Sequence, residues 1–110
     1  MFYLTTQTTV LLAIEPVDFR RQMDGLIAFC QQQLKHNPRS GDFFVFINRS
    51  RTMIRVLCYE ENGYWLATKR LSKGRYTLWP SGKSEVISEH HASELTKILK
   101  TFVARVRKNG

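Results

Sequence analysis

The stretch Met53-Ile-Arg-Val-Leu-Cys-Tyr-Glu-Glu-Asn-Gly-Tyr-Trp-Leu-Ala-Thr-Lys-Arg70 decides the fold. Two runs rich in β-branched and aromatic residues flank Asn62-Gly63, a dipeptide that closes tight β-hairpins. A two-residue turn there predicts that Tyr59 faces Leu66, Leu57 faces Thr68 and Arg55 faces Arg70. Side chains alternate along a strand, so one face then holds Ile54, Val56, Cys58, Trp65, Ala67 and Leu71, with Lys69 as its exception. That face is expected to be the core, covered by helices. The other face holds Arg55, Leu57, Tyr59, Leu66, Thr68 and Arg70. Two arginines set directly opposite repel; either their long side chains splay into water at little cost, or an anion between them makes the arrangement favourable. A sheet with two largely apolar faces also invites a partner on the second one, which makes a homo-oligomer one reading.

Working outward, Ser72 to Arg75 reads as a turn and Tyr76 to Trp79 as a further strand, closed by Pro80. Upstream, Phe43 to Ile47 is a continuous apolar run and reads as a strand, followed by the polar loop Asn48 to Thr52. Val10 to Ile14 is another, stopped by Pro16. Asp18 is placed to cap a helix. Phe19, Met23, Leu26, Ile27, Cys30 and Leu34 then recur at helical spacing, and the helix is expected to end near His36–Asn37, ahead of Pro38. Gly25 inside that helix predicts a close approach by the sheet or another helix. Leu95, Ile98, Leu99, Phe102, Val103 and Val106 give a second amphipathic helix, with a basic character over residues 89–108. The expected fold is α+β: an antiparallel β-meander of three to five strands, with a helix in the N-terminal half and a C-terminal helix. Phe44, Phe46, Ile54, Val56 and Trp65 should be buried together, against Leu26 and Ile27.

A chain of 110 residues suits a single domain, 1–110, and an apolar share of 43 % argues against disorder. No apolar run approaches the roughly 18 residues of a membrane span. Met1 to Leu12 lacks the basic start and small-residue cleavage site of a signal peptide, so a cytoplasmic protein is expected. Cys30 and Cys58 lie in apolar surroundings without CxxC spacing and read as reduced core thiols.

The net charge of +8 is unevenly spread. Residues 1–48 balance at zero, residues 49–75 carry +5, residues 76–96 carry −2 and residues 97–110 carry +5. Two basic blocks on a folded surface either attract polyanions or serve as a solubilising face, and charge alone does not choose between them. Catalytic signatures are missing. His90 and His91 are adjacent and so do not share a helix face as metal ligands would, and His36 suits a helix C-terminus. Ser81-Gly82-Lys83-Ser84 lacks the upstream glycine of a phosphate loop. No metal, cofactor or small-molecule substrate is expected, and the chain does not read as an enzyme.

The segment Val17-Asp18-Phe19-Arg20-Arg21-Gln22-Met23-Asp24-Gly25-Leu26 is similar to a pattern close to Asp-Met-Arg-Lys-x-Phe-Asp-Gly-Leu. It is followed by Ser40-Gly41, Phe44-Val45-Phe46, Asn48-Arg49-Ser50-Arg51 and Ile54-Arg55-Val56-Leu57. Glu60, Gly63, Leu66, Lys69-Arg70-Leu71, Gly74, Tyr76 and Trp79-Pro80 complete the ordered set. Over residues 10–80, and more weakly beyond, the chain resembles the small TnpB accessory protein, encoded by the second frame of IS66-type bacterial insertion sequences. That protein is unrelated to the RNA-guided nuclease of the same name. Departures are Met23 for an aromatic, Arg55 for Lys, Ser72 for Glu, an extra residue before Trp79, and the basic tail. The resemblance implies a role in transposition beside a separate transposase and carries over no catalytic residues.

Together these readings make the chain a non-catalytic accessory protein that binds DNA at the element ends, the transposase, or both. Arg49, Arg51, Arg55, Lys69, Arg70, Lys73 and Arg75 are expected to contact phosphates, which position a protein on DNA without reading its sequence. Arg20 and Arg21 are secondary candidates, and Tyr59 reads first as core or interface packing, with stacking on an unpaired base or sugar as its other role. The alternative is a pure protein-interaction or oligomerisation module in which the arginines meet acidic side chains.

Overall fold

The computed structural model describes residues 8–80, the backbone of 87–91, and Lys97. In chain order it has β1 (Thr9–Ala13), α1 (Met23–Gln32), β2 (Phe43–Ile47), β3 (Met53–Glu60), β4 (Gly63–Arg70) and β5 (Ile87–His91). The strands form one sheet in the order β4-β3-β2-β1-β5. Neighbouring strands run antiparallel except β1 and β2, which are parallel, with Val10 beside Phe43 and Leu12 beside Val45. The sheet is therefore mixed, not the antiparallel meander that the sequence suggested. α1 lies between β1 and β2 in the chain and carries it back to the starting end, so the second strand enters in the direction of the first.

The two central strands explain their own composition. Every residue of β2, and Val10 to Ala13 of β1, is buried. Strands covered on both faces read as continuous apolar runs, which is what Val10–Ile14 and Phe43–Ile47 are. On one face Leu11, Ala13, Phe44, Phe46 and Leu57 pack with Val17 and with Leu26, Cys30 and Leu34 of the α1 segment. On the other face Val10, Leu12, Phe43, Val45, Ile47, Ile54 and Cys58 pack with Tyr76 and Trp79. The helix thus covers the face that carries Arg55, Leu57 and Tyr59, the reverse of the expectation. Phe44 and Phe46 belong to the helix-covered layer, Ile54 and Val56 to the opposite one, and Trp65 lies outside both cores at 49 % exposure.

Tyr76 to Trp79 was expected to be a strand, but it is an extended strap outside the sheet. It lies across the second face. The Tyr76 amide donates to the Arg51 carbonyl at 2.7 Å, and the Trp79 indole Nε1 donates to the Ala13 carbonyl at 3.1 Å. A strap fits the spacing, since its two buried aromatics are three residues apart and a strand would turn them to opposite faces.

The hairpin forms where the sequence placed it, in a register two residues away. Glu60 pairs with Gly63, so the turn residues are Glu61 and Asn62, and the positive φ of +59° falls on Glu61. Arg55 consequently lies opposite Thr68, and Arg70 opposite Met53; the predicted Arg55–Arg70 pair does not form.

α1 starts at Met23, five residues after Asp18, with Gln22 at its N-cap, and ends at Gln32. Asp18 instead accepts from the Arg20 amide at 2.9 Å and closes a turn ahead of the helix. At Gly25 the nearest neighbour of an added Cβ is the Arg21 side chain, 3.3 Å away, rather than the sheet. Residues 87–91 form β5, so 89–91 are strand where a helix was expected. The rest of the expected C-terminal helix lies outside the described residues, apart from Lys97, which is helical.

Candidate nucleic-acid interface

Because β1 and β2 are parallel, their C-terminal ends share one end of the sheet, where β3 begins and β4 finishes. Three turns meet there: residues 14–21 after β1, residues 48–52 between β2 and β3, and residues 71–76 after β4. Backbone bonds stitch them together. The Val17 amide donates to the Ile47 carbonyl at 2.9 Å, the Leu71 amide to Thr52 at 2.9 Å and the Tyr76 amide to Arg51 at 2.7 Å.

The middle turn is braced from inside. Asn48 Oδ1 accepts from the amides of Thr52 at 2.9 Å and Met53 at 3.1 Å, while its Nδ2 donates to Thr52 Oγ1 at 3.1 Å. Ser50 Oγ lies 2.8 Å from the same hydroxyl. Arg51 takes a φ of +61° within this turn. An Asn that satisfies its own loop in this way fixes the backbone from which Arg49 projects into solvent. The turn faces the 14–21 segment across a cleft lined by Val17, Asp18, Phe19, Arg20, Asn48, Arg49 and Ser50.

Residues 14–21, 48–55 and 69–75 together hold nine bases and two acids, a net charge of +7 at this end. The structure brings Arg49, Arg51, Arg70, Lys73 and Arg75 to the end as the sequence reading placed them, with Lys69 one residue before Arg70 on the opposite sheet face. Arg20 and Arg21, expected only as secondary contacts, belong to the same end because the 14–21 turn is anchored beside loop 48–52. The acids are few and partly neutralised. The Arg20 guanidinium donates to both Asp18 oxygens at 2.6–3.1 Å, and these bonds hold the Asp18 carboxyl down at about 2. Arg21 lies over the Phe29 ring, 5.4 Å from its centroid.

Arg55 is committed elsewhere. Its Nη1 donates to the carbonyls of Phe19 at 3.0 Å and Arg21 at 2.8 Å, its Nε to Thr68 Oγ1 at 3.2 Å, and its guanidinium lies 4.7 Å from the Phe19 ring centroid. It therefore clamps the turn before α1 onto the sheet. Tyr59 lies at the other end of β3, 4.9 Å from the Tyr64 ring and under Arg39 at 5.2 Å, away from the basic loops. That far end carries Asp42, Glu60 and Glu61 against Lys35 and Arg39, so the strongly basic end faces a nearly balanced one along the strand direction.

The sequence reading missed the Arg55 clamp, and no local pattern signals it, since its partners lie 34–36 residues upstream. Among the described residues no three His, Cys, Asp or Glu side chains gather as a metal site, and no helix is long and apolar enough to cross a membrane.

A small mixed α+β domain with one strongly basic end is what the geometry defines. A family model described as "IS66 Orf2 like protein" matches residues 8–107, and the chain belongs to that family. It is similar to two proteins of Sinorhizobium fredii. The uncharacterized protein y4jC is 37 % identical over 71 residues, 64 % of this chain and 61 % of that protein. The uncharacterized protein y4hO is 37 % identical over 79 residues, 72 % of this chain and 68 % of that protein. No solved structure matches.

Proposed function

We propose that this chain is a non-catalytic accessory protein of transposition that grips DNA through the basic end of its sheet. Family membership supplies the setting of an insertion sequence. The observation that carries the DNA reading is the gathering of eight bases, the bracing Arg55 apart, against two acids where three turns are stitched together. Arg49, Arg51, Lys69, Arg70, Lys73 and Arg75 act as phosphate contacts, with Arg20 and Arg21 beside them. Arg55 holds the turn that presents the last two. Such contacts set affinity and orientation and leave sequence selection to another component, for which the transposase is the natural partner.

The test is a salt titration of duplex element-end DNA by fluorescence anisotropy. Neutralising about five phosphates gives a slope of log affinity against log salt near −4 to −5. Arg49→Glu with Arg51→Glu should weaken binding to all sequences alike and flatten the slope. Reversal of Arg105, Arg107 and Lys108 in the tail should matter less. A parent chain that fails to bind DNA at low salt while capturing the transposase would replace this reading with the protein-interaction module.

A further inference from the structure

β4 is an edge of the sheet, and among the described residues nothing pairs with its outer side. Natural edge strands are blunted by prolines, bulges, brevity or charges. β4 is eight residues long and runs against β3 in unbroken register from Gly63 to Arg70. Its first six residues, Gly63 to Thr68, contain neither charge nor proline. The half-exposed Trp65 projects from one face of this edge. In an antiparallel ladder every second residue turns its amide and carbonyl away from the paired strand. Counted from the Glu60–Gly63 pair that closes the two-residue turn, the outward set is Tyr64, Leu66, Thr68 and Arg70.

We propose that two copies of this chain join by antiparallel pairing of their β4 edges, in a register centred on Ala67. A two-fold dimer places residues of the same sheet face opposite one another, so the numbers of paired residues must add to an even total. Centring on Ala67 uses Tyr64 to Arg70 of both chains and brings all four outward residues into bonding pairs. Trp65 then lies opposite the partner's Lys69, and Tyr64 opposite the partner's Arg70. Each cation of the edge meets an aromatic ring, a favourable cross-strand pairing. Centring on Leu66 would instead set Lys69 against the partner's Gly63 and Trp65 against the partner's Ala67, which loses these pairs.

The same operation matches charge beyond the strands. Continued past the turn, the numbering brings Glu61 beside the partner's Lys73, so the acidic hairpin of each chain runs along the basic bend of the other. This end-to-end complementarity with a reversed copy selects a second copy of the chain as the occupant. The product is one continuous sheet whose two basic ends point in opposite directions; Lys69, Arg70 and Lys73 then meet the partner, and each end keeps Arg20, Arg21, Arg49, Arg51 and Arg75 for phosphates.

Sedimentation velocity of the full chain over a concentration series tests this. The expected species has twice the 12.9 kDa mass of one chain. Thr68→Pro removes an outward amide while leaving the β3 ladder intact and should give single chains. Thr68→Val loses the same bond to Arg55 but keeps the amide, and should stay dimeric. Glu61→Lys and Lys73→Glu should each weaken the dimer roughly tenfold at low salt, since symmetry disrupts two exposed pairs at once. The two substitutions combined should restore it, and this series decides the matter if Thr68→Pro fails to fold. A single-chain mass at every concentration overturns the proposal, whether the edge is bare or its amides are protected from exchange by this chain's own remaining residues. A dimer that ignores both Thr68→Pro and the charge series overturns it too.

Discussion

Arg55 separates bracing from binding, and Arg55→Ala is the substitution that measures the difference. Its guanidinium makes two bonds to carbonyls of the pre-helix turn, one to Thr68 on β4, and a stacking contact with Phe19. A hydrogen bond from a charged donor contributes about 1.5–3 kcal/mol net, and an exposed cation–π contact about 0.5–1 kcal/mol. These contacts share one side chain and one turn, so they do not add fully; about 2–4 kcal/mol is the expected loss. That is a large fraction of the roughly 5–15 kcal/mol by which such domains are stable. With a urea m-value of about 1–3 kcal/mol/M, the midpoint should fall by about 1–2 M at unchanged m. Arg55→Lys should recover less than half, because an ammonium cannot span two carbonyls and a hydroxyl in the fork geometry of a guanidinium. Arg49→Ala, on an exposed turn, should stay within about 0.5 kcal/mol of the parent while weakening DNA binding. An Arg55→Ala midpoint equal to the parent's, with a loss of DNA affinity like that of Arg49→Ala, would refute the reasoning and return Arg55 to the phosphate contacts.

Phe46→Ala should cost roughly 3–5 kcal/mol, since the ring is fully buried and meets Phe29 edge-on, whereas Trp65→Ala should cost far less; equal losses in urea denaturation would contradict the placement of the two cores. Burial pushes the Cys30 thiol up to about 12, so at pH 8 iodoacetamide should label it only on unfolding, and rapid labelling of the native chain would disprove its burial. Asp18, held at about 2, favours the folded state fully above the ordinary carboxylate value near 4 and loses that contribution as pH falls through about 2. Asp18→Asn should therefore flatten the acid limb of the stability profile between about pH 4 and pH 2, and an unchanged limb would show that the Arg20 pair contributes nothing.

Strand positions were legible because periodicity and run length carry them: Val10–Ile14, Phe43–Ile47 and the hairpin all lie within a residue or two of their observed bounds. Strand direction was hidden, although the unbroken apolar character of the first two runs is the mark of central strands covered on both faces. The hairpin register could not be settled by pattern, since a slip of two residues keeps every side chain on its own face; only turn chemistry distinguishes the two, and here Glu61 takes the positive φ ahead of the Asn-Gly pair. The helix began late because Arg20 and Asp18 form a local turn that competes with helix initiation. Of the candidate site, the loop bases were visible as a charge block. The arrival of Arg20 and Arg21, and the engagement of Arg55 by the pre-helix turn, depend on the parallel crossover and were not.

The position of β1 between β2 and β5 governs how the sheet can be assembled. The hairpin of β3 and β4 closes over neighbouring residues, and β2 joins it through a five-residue turn. β1 is made first but finds its place only once the whole crossover has formed, and its other flank stays bare until residues 87–91 emerge. During synthesis an almost wholly apolar strand therefore waits longest for its last neighbour. A stop codon between residues 80 and 87 would leave that strand as a permanent edge, and a message truncated there should yield aggregates or protease fragments instead of a smaller working domain.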